Sequence, residues 1–96
     1  MRLGFLKWDD WNIEHIAEHG VEPEEVESAC HARQVLMRRA GVTRYGLSRY
    51  HVYSRTEEGR HLFIVLDQAP EGSYVVTARN MTENEKRPFR KARGER

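Results

Sequence analysis

RYHVYSRTEEGRHLFIVLDQAPEGSYVVTAR, residues 49–79, decides the fold. Its first segment, RYHVYSR (49–55), alternates, so Arg49, His51, Tyr53 and Arg55 fall on one face of a strand while Tyr50 and Val52 take the other. TEEGR (56–60) reads as a hairpin loop with glycine near its end. HLFIVLD (61–67) is apolar throughout, as a central strand covered on both faces would be. QAPEG (68–72) then turns the chain into SYVVTAR (73–79). Upstream, QVLMR (34–38) adds a further strand, and AGVTRYGLS (40–48) supplies turn-forming glycines.

Outward from this sheet the periodicity changes. RLGFLKW (2–8) reads as a short first strand. Asp9 or Asp10 caps a helix expected to run to His19, with Gly20 as its stop. Ile13, Ile16 and Ala17, at i, i+3, i+4, are expected to face the core. A second helix begins near Pro23, with Glu22, Glu24 and Glu25 at its positive end and Val26, Ala29 and Cys30 as its buried stripe. Thr82, with Glu85 three residues on, forms a capping box that opens a final helix and a basic tail (82–96), in which Pro88 is expected to kink or shorten the helix. The expected architecture over residues 1–96 is a small single α+β domain: a first strand, two N-terminal helices, four antiparallel strands and a C-terminal helix.

Composition narrows the function. With 96 residues, 39% hydrophobic and 32% charged, the chain has the make-up of one globular domain. Its longest apolar run, LFIVL (62–66), is too short to span a bilayer. MRLGFLKW lacks the apolar stretch of a secretory signal, and the single Cys30 forms no intramolecular disulfide; both lead to the expectation of a cytoplasmic protein without membrane attachment. The net charge of +1 hides a segregation. Asp9 to Ser28 carries eight acids and no Lys or Arg; Arg33 to Arg60 carries seven arginines against two glutamates; Arg79 to Arg96 carries seven basic residues against three glutamates. An acidic face and an arginine-rich face follow, the latter suited to phosphate. The plainer reading is two solvated halves that attract each other, within one chain or between copies, so that a homo-oligomer is a further expectation.

HIAEH (15–19) matches the zinc-protease pattern H-x-x-E-H and places His15 and His19 on one side of the first helix. A hydrolytic zinc also needs a third ligand and a substrate cleft, and the helix ends directly after His19. No metal and no cofactor are therefore expected.

Three segments, WDDWNIEHIAEHGVEPEEVE (8–27), RYHVYSRTEEGRHLFIVL (49–66) and VVTARNMTENEKRPF (75–89), together resemble the BrnT family, the ribonuclease toxins of BrnT/BrnA toxin–antitoxin pairs. The matches are Trp8, Asp9, Asn12, His19, Gly20, Arg49, Tyr50, Arg55, Gly59, Ala78, Arg79 and Thr82. The chain departs from the family at Leu47 and Ser48, where an acid usually precedes the R-Y strand, and at Ser54, where glycine is usual. The resemblance implies a RelE-like antiparallel sheet, RNA as substrate, and an antitoxin partner of the ribbon-helix-helix type.

RNA cleavage by side chains requires a 2′-hydroxyl to be deprotonated, a charged phosphorane to be stabilised and the 5′-oxygen to be protonated. The candidate catalytic residues are His19, His51, Arg55 and Arg79: imidazoles for proton transfer and arginines for the phosphorane. Arg49, Tyr53, Arg87, Arg90 and Lys91 are candidates for binding RNA by charge and stacking. Each has a plainer reading. The arginines of the strands would pair with the acidic helices, His51 would be a solvated strand position, and His19 would finish the helix or stack on Trp8. Trp8 and Trp11 read as packing residues, and Glu57 and Glu58 as solvated loop acids. A module that binds RNA or protein without cutting is the alternative function.

Overall fold

The computed structural model describes residues 4–94. Residues 2 and 3 of the expected first strand and the last two residues of the basic tail lie outside them. The order is β1 (Leu6–Lys7), α1 (Asp10–Ala17), α2 (Pro23–Cys30), β2 (Leu36–Val42), β3 (Ser48–Arg55), β4 (His61–Ala69), β5 (Gly72–Asn80) and α3 (Glu83–Ala92). One five-stranded sheet runs β1-β5-β4-β3-β2, antiparallel except for the parallel β1–β5 pair. This is the expected α+β domain. Among the described residues no helix is long and apolar enough to cross a membrane.

β4 lies at the centre of the sheet and is buried on both faces. Leu62, Ile64 and Leu66 meet Ile16 of α1 and Val26, Ala29 and Cys30 of α2, whereas Phe63 and Val65 meet Met81 and Phe89 on the opposite side. The Ser54 hydroxyl donates to the Ala29 carbonyl at 2.7 Å inside the first cluster, tying β3 to α2. Burial pushes the Cys30 thiol up to about 12, with the Glu27 charge adding to it, so this cysteine is a small core side chain rather than a nucleophile.

β2 begins later and runs further than QVLMR suggests, because its pairing with β3 extends to Val42↔Ser48 after a bulge between Arg39 and Gly41. α1 differs from expectation in length and in face. It ends at Ala17, and Gly20, at φ +70°, closes it with hydrogen bonds from its own N–H to Ala17 and from the Val21 N–H to Ile16. Ile13 and Ala17 point outward; the buried residues are Asn12 and Ile16. An apolar-stripe argument passes over an asparagine. This one earns burial by satisfying backbone at a junction: its Nδ2 donates to the Lys7 carbonyl at 3.0 Å and the Val75 carbonyl at 3.1 Å, while its Oδ1 accepts from the Asp9 N–H at 2.8 Å. Asn12 thus holds β1, β5 and α1 together. Asn12→Ala strands these backbone groups, and urea unfolding is expected to show a loss of about 2 kcal/mol; a change within a few tenths would contradict this role.

Pro88 does not break α3, which continues to Ala92. Phe89, the next residue, is seated in the sheet, and tertiary packing of this kind outweighs the lost helical hydrogen bond.

Candidate functional site

The site is built on the sheet face opposite α1 and α2. Val52 and Ser54 are buried toward those helices, which leaves Arg49, His51, Tyr53 and Arg55 on the α3 side, as the alternation predicts. α3 covers only one end of this face, where Phe89 meets the His61 ring edge-on at 5.7 Å. Beside it the half-exposed His51, Tyr53 and Arg79 surround Phe63, which is itself buried. His51 lies edge-on to that ring at 5.0 Å, Tyr53 is tilted against it at 5.3 Å, and the Arg79 guanidinium stands 4.2 Å from its centroid. Arg38 of the neighbouring β2 adds its guanidinium 5.9 Å from the Tyr53 ring. The cross-strand register explains the grouping: Phe63 is flanked directly by Tyr53 and Arg79, and His51 by Arg38.

Two arginines of this face carry carboxylate partners. Arg79 donates from Nη1 and Nη2 to the two oxygens of Glu85 at 2.8 and 3.0 Å, and Arg49 donates to Asp67 at 2.7 and 2.9 Å. The Arg79 hydrogen bond holds the Glu85 carboxyl below its usual range, and Glu85 in turn raises the Arg79 pKa. The pair's stabilisation is present above the ordinary glutamate range and is lost as the pH falls through the lowered value of Glu85. The partner of Arg79 is thus the capping residue of α3 rather than the acidic helices. It is Arg60 that reaches those helices, with Glu25 accepting at 2.9 and 3.0 Å. Asp67, the partner of Arg49, lies directly opposite it on β4.

Arg55 is directed elsewhere. It lines an open cleft of about 830 Å³ between the end of α2, the β3–β4 hairpin and the end of α3, in company with His31, Arg33, Glu57, Glu58 and Arg93. His51, Tyr53 and Arg79 are not part of that lining. Arg87, Arg90 and Lys91 are exposed on α3.

His19 lies in the other layer, at the exposed end of α1. Trp11 stacks on His15 at 4.9 Å, and His15 meets His19 edge-on at 5.7 Å, so the neighbour of His19 is His15 and not Trp8. Trp8 packs against the core and donates to Glu27 at 3.0 Å, whereas Trp11 is 58% exposed and is not a core residue. Among the described residues no three His, Cys, Asp or Glu side chains are placed to share a metal. Dialysed protein is expected to hold far less than one zinc per chain. A full equivalent that disappears in His15→Ala/His19→Ala would overturn that expectation.

No motif points to Phe63, Arg38, Glu85 or Asp67 as site residues. Register across the hairpins finds the first two and Asp67, and the capping box finds Glu85 only as a helix residue. Compared with known protein families and with curated proteins, the chain matches none.

Proposed function

We propose that this protein is a BrnT-like endoribonuclease toxin with a RelE-like sheet, acting on RNA in the cytoplasm without a metal and held in check by an antitoxin of the ribbon-helix-helix type. The observation that carries this reading is the gathering of His51, Tyr53, Arg38 and Arg79 around Phe63 on the part of the sheet that α3 leaves open. The half-exposed Tyr53 offers ring surface to a base, the His51 imidazole takes the proton from a 2′-hydroxyl, and Arg79 faces the charge that develops on phosphorus. The 2′-oxygen–phosphorus bond forms as the phosphorus–5′-oxygen bond breaks, leaving a cyclic phosphate and a 5′-oxygen that takes a proton from solvent water to become the 5′-hydroxyl. An antitoxin that covers this face would present acids to its arginines.

A second reading, an RNA- or protein-binding module without nuclease activity, is favoured by the two bidentate pairs, which occupy Arg49 and Arg79 with carboxylates. Incubation with single-stranded RNA in excess chelator separates the two. The nuclease reading expects fragments ending in a cyclic phosphate, lost in His51→Ala, and growth arrest when the chain is expressed alone. Salt-sensitive binding of RNA without cleavage selects the second reading. Absence of RNA binding at low salt removes the nuclease reading and the RNA-binding form of the second.

A further inference from the structure

We propose that the cleft between α2, the β3–β4 hairpin and α3 is a second subsite, which holds a backbone phosphate of the RNA strand lying on the Phe63 patch. This rests on the RNA reading above and adds to it a place for the flanking strand. The first observation is convergence of uncompensated charge. Several arginines have no ion-pair partner among the described residues, and two of them, Arg33 and Arg55, line this one cleft. The second is capacity, since about 830 Å³ of open space accommodates a nucleotide unit. The third is continuity: Arg55 follows His51 and Tyr53 on the same face of β3, roughly 13 Å beyond His51 at the rise of an extended strand. A single strand stacked on Tyr53 therefore needs only a few nucleotides to reach it.

Glu57 and Glu58 line the same cleft and oppose a phosphate, which gives the proposal a signature of its own: their removal must strengthen binding, whereas loss of acids from a cation site would weaken it.

The experiment measures binding of two 2′-O-methyl RNAs that resist cleavage, one of two nucleotides and one of eight, by the full chain. Arg33→Ala/Arg55→Ala is expected to weaken the longer RNA at least tenfold, to flatten its salt dependence by roughly one unit of log–log slope or more, and to leave the dinucleotide unchanged. Glu57→Gln/Glu58→Gln is expected to tighten the longer RNA. Circular dichroism verifies that each variant folds. If the arginine variant binds the longer RNA as the parent does, the subsite is overturned while the patch reading stands. Equal weakening of both RNAs also overturns it, because the arginines would then serve the patch itself. If the parent binds neither RNA, the RNA reading fails and the subsite with it.

Discussion

Arg79→Ala is expected to slow RNA cleavage roughly a hundredfold, the usual cost of removing one preorganised donor from a developing oxyanion. The guanidinium is well placed for that role because three contacts fix it: the Phe63 ring below it, the Glu85 carboxylate beside it and the Asn80 carbonyl. The bidentate pair uses one N–H from each terminal nitrogen, and a second contact from Nη1 reaches the Asn80 carbonyl at 3.0 Å. Nε–H and the remaining Nη2 proton are the donors left for a phosphate. Arg79→Lys keeps the charge but not the fork, and should recover only a small part of the rate. Glu85→Gln tests the pair from the other side. It removes the competing negative charge, so RNA affinity should rise if Arg79 meets phosphate. Cleavage by Arg79→Ala at the parent rate, with the fold intact, would remove Arg79 from the chemistry.

Phe89→Ala is expected to cost roughly 3–5 kcal/mol in urea unfolding, a large share of what a domain of this size commands. Phe89 is the one buried residue of α3; it fills the cluster with Phe63, Val65 and Met81 and lies under the Arg93 guanidinium, 5.5 Å away. The remainder of the helix is strongly polar and contains a proline, so nothing else in it binds the sheet with comparable strength. Arg90→Ala, an exposed change on the same helix, should fall within about half a kcal/mol of the parent. If the two variants unfold alike, α3 is held by its cap and ion pairs instead.

β3, β4 and β5, and the burial of β4 on both faces, were legible because the evidence for them is local: alternation at 49–55, an unbroken apolar run at 62–66, and glycines where the chain turns. The second helix was legible for the same reason, with Val26, Ala29 and Cys30 buried as their spacing predicts. α1 was legible as a helix but not in its orientation, since the side chain that decides it is an asparagine whose acceptors, Lys7 and Val75, belong to two different strands. The candidate site was half legible. Alternation put His51 and Tyr53 on one face, but it could not show that α3 would leave those two beside an open patch and place Arg55 in a separate cleft. His19 matched a motif and lies across the sheet from the other candidates, because a motif orders residues along the chain and says nothing about which layer receives them.

The parallel β1–β5 pair has a consequence for the order of assembly. β2 to β5 form a meander in which each strand meets the next, so their contacts close short loops. β1 instead joins Leu6 to Ser73 and Lys7 to Tyr74, partners far apart along the chain. At that junction the Phe5 carbonyl accepts from the Ser73 N–H at 2.7 Å, and it passes so close to Gly72 that a Cβ there would stand 2.7 Å from the oxygen. Joining such distant partners costs chain entropy that only a formed meander repays, so β1 docks late on the folding path. Contacts made after the barrier govern how long the native state lasts rather than how fast it is reached. The two residues of β1, with Asn12 bridging them to β5, therefore act as a latch: loosening it should shorten the lifetime of the folded protein and leave its refolding rate almost untouched.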